Sequence, residues 1–305
     1  MRNWLVFGKN NKAYYFEEEL KMKIKFLKYQ ACGNNFVIID KEFSKKILFE
    51  KRGKLAKFLC DRHFGIGADD ILYLDSSSNA DIRLKIFEAQ GPEADMCGNG
   101  IRCVAAYLCE KLNKNDLIIK TNDGTKHIKK IGAKYQVNMG RLRVKMKDMK
   151  KYFISKFPDD ERLLNKTIDF PEIGEIKVSI VNSSEPHCVI FVKDVDKEDI
   201  NKYGKNISEN KQLFPYGINV NLVEVIGSDL LKIRTYERGV FYETLACGTG
   251  ATASAAVASI LGKIKGNQIE VDVKGGKIEI EITEDALYMT GPALKVFEGV
   301  INIKI

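Results

Sequence analysis

YETLACGTGATASAAVASIL, residues 242–261, and EADMCGNGIRCVAAYLCEKL, residues 93–112, are two versions of one pattern. Each has acidic residues shortly before a Cys-Gly-x-Gly, then an apolar run of helical length. The similarity continues downstream. DLIIKTNDGTKHIKKI and YQVNMG follow Cys97; NQIEVDVKGGKIEIEI and LYMTG follow Cys247. Cys97 to Gly124 is 27 residues and Cys247 to Gly276 is 29, while Cys97 to Gly140 is 43 and Cys247 to Gly291 is 44. Upstream, GNNFVIID starts 64 residues before Cys97 and SEPHCVIFV starts 63 before Cys247. Each is a polar turn leading into a β-branched apolar run, which reads as a strand. An internal repeat of this length predicts two similar units.

Both helices after the cysteines are apolar over most of their circumference, so they are expected to be buried. The fold class that follows is α/β (α+β): two pseudo-symmetric domains, each a strand-rich sheet wrapped around a central helix, with the active site in the cleft between them. The expected domains are residues 22–147 and 148–292, with the strand of 293–305 free to return to the first. Residues 1–21 lie outside the repeat and read as an extra arm or an upstream start-site artefact, with no function assigned. A length of 305 residues suits two domains.

The bulk numbers narrow the class. Hydrophobic content of 45% and charged content of 30% are those of a soluble globular chain. No stretch approaches the roughly 20 apolar residues of a membrane helix, and the N-terminus lacks the pattern of a signal peptide. Seven cysteines, an odd number with no C-x-x-C pair, point to free thiols in the cytoplasm rather than a disulfide framework or a zinc site. The net charge of +8 is scattered. Its densest run, RLRVKMKDMKK at 141–151, alternates at its start and reads as a half-exposed strand. No aromatic interleaving accompanies it, so no nucleic-acid partner is expected. No membrane partner is expected either, and a homodimer is left open.

Equivalent cysteines, one per unit, imply one site between the units. A helix N-terminus offers unpaired N–H groups and a favourable dipole to anions. That environment is expected to lower a thiol pKa from about 8.5 towards neutrality. Glycines at 98, 100, 248 and 250 let an anion approach the backbone. Two thiols facing one carbon can remove a proton from one side and return it to the other, inverting configuration with neither cofactor nor metal. Helix N–H groups would hold the substrate carboxylate as an oxyanion hole does. The structural alternative is that each Cys is a small buried hydrophobe.

The segments KYQACGNNFVIID (28–40), DRHFGIGADDIL (61–72), MCGNGIRC (96–103), EPHCVIFV (185–192), FPYGINVNLVEV (214–225), TYERG (235–239) and ETLACGTGATAS (243–254) carry a family resemblance. The chain resembles the diaminopimelate epimerases and related pyridoxal-phosphate-independent amino-acid racemases. That resemblance implies catalytic roles for Cys97 and Cys247, and thiol tuning by His187 and Glu237. It implies carboxylate binding at Gly98, Asn99, Gly248 and Thr249, and substrate contacts from Asn34, Asn219, Glu237 and Arg238. Taken singly, Asn34 reads as a turn residue, Glu237-Arg238 as a surface pair and His187 as a core histidine.

Departures from the family pattern bear on the substrate. Glu88 and Glu185 stand where the family has asparagine, Asp70 where many members have glutamine, and Asn35 where most have aspartate. Three residues, Val240 to Tyr242, replace a commoner two. Like charges about 4 Å apart at an effective dielectric of 20 cost roughly 4 kcal/mol, and a third of that shifts specificity about tenfold. Two carboxylates at the distal end would therefore disfavour a distal carboxylate. The expected substrate is a basic or imidazole amino acid: histidine first, then lysine, ornithine and arginine. Glu88, Glu185 and Asp70 join the expected binding residues. The alternative is diaminopimelate or an analogue such as lanthionine, to which the retained Arg238 points. Non-catalytic readings are an amino-acid-binding protein and a redox switch closed by a Cys97–Cys247 disulfide.

Overall fold

Along IRLKIFE, Ile82, Leu84 and Ile86 point inward while Arg83 and Lys85 reach the surface. This two-residue period builds most of the molecule. The computed structural model describes residues 4–7, 13–16 and 21–304. Strands β1 (Trp4–Phe7) and β2 (Ala13–Phe16) pair with each other. Other aspects of the arm at 1–21 lie outside the described residues.

The first unit runs β3 (Lys21–Ala31), β4 (Asn34–Ile39), α1 (Lys41–Ser44), α2 (Phe49–Cys60), β5 (Asp70–Asp75), β6 (Ile82–Glu88), β7 (Glu93–Ala94), α3 (Gly98–Leu112), β8 (Asp116–Thr121), β9 (Gly124–Ile131) and β10 (Lys134–Gly140). After α4 (Met146–Met149) the second runs β11 (Lys166–Phe170), β12 (Gly174–Asn182), β13 (Pro186–Phe191), α5 (Ile200–Ser208), β14 (Asn219–Val225), β15 (Leu230–Glu237), β16 (Tyr242–Thr244), α6 (Gly248–Ile260), β17 (Gln268–Val273), β18 (Gly276–Ile282) and β19 (Leu287–Pro292). Strand β20 (Leu294–Lys304) pairs antiparallel with β3, from Leu294↔Gln30 to Lys304↔Lys21.

Register shows how closely the units correspond. β4 lies parallel to β5 with Phe36 opposite Asp70, and β13 parallel to β14 with His187 opposite Asn219. β6 and β15 each pair antiparallel with the strand before them and parallel with the strand after the central helix. Phe87 faces Glu93 as Tyr236 faces Glu243, which makes Glu88 and Glu237 equivalent. The equivalent strands β10 and β19 pair with each other, joining the units edge to edge.

One core holds both central helices, with Ile101, Val104 and Ala105 of α3 and Ala251, Ala255 and Val257 of α6 in a single cluster. The thin α6, rich in Ala and Gly, fills its sheet without large side chains. Asn113, in the left-handed region at φ 50°, ends α3 by donating its N–H to the carbonyls of Cys109 and Glu110. Outer layers pack α2 on the first sheet through Leu55 and Leu59, and α5 on the second through Ile200 and Ile207.

The basic run at 141–151 departs from the expected strand. Two isolated bridges, Arg143↔Asn182 and Lys145↔Arg162, stand in place of a strand ladder, and the run ends in the short helix α4. Met146 and Met149 are buried in the second unit's outer core, so a turn of helix serves this linker better than an extended edge.

Candidate active site

Cys97 and Cys247 are the N-cap residues of α3 and α6. Each has extended backbone, and each thiol accepts from the N–H three residues on, Gly100 N and Gly250 N, at 3.4 Å. The two helix mouths meet head to head. A Cβ on Gly98 would lie 3.5 Å from Gly248 Cα, and one on Gly248 would lie 3.4 Å from Gly98 Cα. A side chain at Gly250 would run into Asn221 Oδ1 and lie 3.3 Å from Cys247 Sγ, so the thiol cap depends on glycine there.

A cavity of about 450 Å³ opens over these mouths. It brings together every residue expected from the sequence except His187: Asn34, Asp70, Glu88, Gly98, Asn99, Glu185, Asn219, Glu237, Arg238, Gly248 and Thr249 join the two thiols. His187 is fully buried behind it, with Nδ1 3.0 Å from Asn221 Nδ2 and, among the described residues, no partner for Nε2. Burial, aided by the charge of Arg238, pushes its pKa down to about 3, so it is a neutral imidazole.

Hydrogen bonds fix most of the lining. Asn34 donates to Asp69 Oδ2 at 2.8 Å, and Asn35 reaches the same oxygen through backbone and side chain. Asn219 donates to Pro186 O at 3.0 Å and accepts from Arg238 N at 2.9 Å. Thr249 O accepts from Ser183 Oγ at 2.8 Å. Thr244 Oγ1 donates to Glu237. At the distal end Arg238 pairs with Glu185 and lies over the Tyr152 ring, while Glu88 shares its field.

The electrostatics differ from the sequence expectation. Each capping N–H does favour its thiolate. Enclosure outweighs it, and Asp70 beside Cys97 and Glu237 beside Cys247 add to the opposition. Both thiols are held well above their ordinary range. Burial also raises Asp70, Glu88 and Glu185, and pushes Glu237 up to about 7. Thr244 hydrogen-bonds Glu237, and the charge of Glu237 acts on Cys247. A carboxyl pushed up to about 7 beside a thiol, as Glu237 is beside Cys247, is suited to proton exchange.

Sequence reasoning missed several contributors. Asp69 orients Asn34, Asn221 holds His187, and Thr244 holds Glu237. Asn221 and Thr244 sit beside the motifs, in INVNL and YETL, but their roles depend on pairings between strands. Arg102, within MCGNGIRC, was also passed over. All seven cysteines are free thiols. Among the described residues, no His/Cys/Asp/Glu group of three or more is placed to hold a metal, and no helix is long and apolar enough to cross a membrane.

Solved structures share this fold. A hydroxyproline epimerase from Agrobacterium vitis, with bound trans-4-hydroxy-L-proline, matches with a TM-score of 0.71 at 13% identity, over 94% of this chain and 95% of that one. A probable proline racemase from Agrobacterium radiobacter matches with a TM-score of 0.68 at 15% identity, over 90% and 92%. With curated relatives added, fold and site define an isomerase of the amino-acid racemase and epimerase class. The profile of the diaminopimelate epimerase family matches residues 26–145 and 179–296, one segment per unit. The diaminopimelate epimerase of Methanocella arvoryzae is 40% identical over 92% of this chain and 98% of its own length; that of Methanocaldococcus jannaschii is 36% identical over 92% and 99%. The chain belongs to the diaminopimelate epimerase family.

Proposed function

We propose that the protein inverts Cα of a free amino acid by passing protons between Cys97 and Cys247, and that its substrate is diaminopimelate. The observation that carries the mechanism is the head-to-head meeting of two thiol-capped helices in one cavity. The substrate carboxylate sits against the N–H groups of the Gly98–Asn99 and Gly248–Thr249 turns. One thiolate removes the Cα proton and the opposite thiol supplies another from the other face. Glu237 stands as proton partner of Cys247. An incoming α-ammonium offsets the carboxylates that hold the thiols protonated, so binding itself favours the thiolate.

The distal residues suit this substrate in a way their acidity alone hides. Diaminopimelate ends in both a carboxylate and an ammonium. Arg238 can take the first, and Glu88 and Glu185 the second. Histidine, ranked first from the sequence, gains no support from the relatives, whose names point to diaminopimelate. A purely basic amino acid remains the second reading, because two glutamates face one arginine. Incubation in deuterium oxide with diaminopimelate, histidine, lysine, ornithine and arginine separates these readings by which Cα proton exchanges. No exchange with any of them would sink the proposal.

A further inference from the structure

Arg102 is 0% exposed, one turn into α3. Buried arginines are ordinarily paired with carboxylates. This one meets neutral acceptors. Nη2 donates to Asn99 Oδ1 at 2.8 Å, and Nη1 lies 3.4 Å from Gly98 O and 3.1 Å from Met289 Sδ. Nε lies 3.4 Å from Pro292 O. Among the described residues no carboxylate forms an ion pair with it; the titratable groups acting on it are the thiols of Cys32, Cys103 and Cys97. Its plane lies against Gly291, where a Cβ would come within 3.1 Å of Cζ. The guanidinium therefore joins α3 of one unit to β19 of the other, directly behind the helix mouths.

A guanidinium keeps its charge under nearly all protein conditions. Enclosing it without a counter-ion is costly. The cost is offset where an anion arrives during function, and the anions at these mouths are a thiolate and a substrate carboxylate. We infer that Arg102 is a positioning residue: it holds the Gly98–Asn99 turn against the second unit, and its uncompensated charge favours negative charge at the two helix mouths. The inference rests on the two-thiol reading above. Its electrostatic part can be read on Cys97 with no substrate present. The groups facing that thiol are Asp70 from β5, Glu237 from β15 and Cys247 from α6, all of which oppose its ionisation. The Gly100 N–H counters them, and Arg102, whose charged form the Cys97 thiol favours, is placed to add to it from within α3.

The test is the pH dependence of iodoacetamide alkylation at Cys97, followed by peptide mass mapping, in wild type, Arg102→Gln and Arg102→Lys. Below the thiol pKa the rate follows the thiolate fraction, so a shift of one unit reads as about tenfold. Arg102→Gln is expected to slow alkylation about tenfold at a fixed pH below the wild-type thiol pKa. Arg102→Lys, which keeps the charge and loses donors, is expected to stay within about twofold of wild type in alkylation while Cα exchange falls. Wild-type alkylation in Arg102→Gln overturns the inference. If that variant does not fold, equally slow alkylation in folded Arg102→Lys overturns it instead. Failure of every amino acid to exchange in wild type removes the proposed function and leaves the alkylation result standing by itself.

Discussion

The side-chain amide of Asn99 donates to the carbonyl of Ala246 at 2.8 Å. The second residue of one central helix thereby grips the residue just ahead of the other unit's thiol. The same amide lies 3.1 Å from Asn34 Oδ1, and the side-chain oxygen of Asn99 accepts from Arg102. Asn99→Ala removes these bonds and leaves buried partners unmet, which costs about 1–3 kcal/mol. Urea melts should show that loss, and Cα exchange should fall at least about tenfold through misplacement of the thiols. Wild-type exchange in a destabilised variant would confine Asn99 to a structural role.

Cys97→Ser and Cys247→Ser should each reduce turnover by about a hundredfold or more, because serine is a far weaker base at neutral pH. Chiral chromatography of the product measures it. Full turnover in either variant removes that residue from the chemistry.

Glu237 gives a signed pH dependence. Its folded pKa, pushed up to about 7 from 4.5, means that the folded state binds more protons than the unfolded state between those values. Stability therefore falls as pH rises through that window, by at most about 3 kcal/mol. Glu237→Gln should flatten this slope between pH 5 and about 7 in urea melts and impair Cα exchange. An unchanged slope would contradict the assignment.

Glu88→Asn combined with Glu185→Asn removes two carboxylates that share the field of Arg238. Removing the acceptors for a distal ammonium while freeing Arg238 should lower kcat/KM for lysine and ornithine more than for diaminopimelate. The ratio should move by about tenfold or more. An unmoved ratio would place neither glutamate against the substrate.

Much of this arrangement is legible in the sequence, because it rests on local rules and on repetition. Cys-Gly-x-Gly ahead of an apolar run marks both central helices, and spacings that agree to within two residues reveal the pseudo-symmetry. The substrate is less legible: Glu88 and Glu185 point to histidine in the sequence, whereas the names of the relatives point to diaminopimelate. What stays hidden depends on pairing. Asp69 matters because β4 brings Asn34 beside it, and Asn221 because β13 and β14 run parallel. The alternation in RLRV resembles a strand, but two isolated bridges stand in place of a strand ladder around the Met146 turn. The thiol pKa misleads for a related reason. The helix terminus is local and visible, whereas the burial of the thiols and the charges of Asp70 and Glu237 that oppose ionisation arise only when the sheets assemble.

The most direct measurement is Cα deuterium incorporation into single enantiomers by wild-type protein, with each substrate followed by NMR and chiral chromatography. The expected result is that diaminopimelate exchanges its Cα proton and inverts, and that single Cys→Ser substitutions abolish inversion. Inversion that persists with both Cys97 and Cys247 replaced would contradict the two-thiol mechanism.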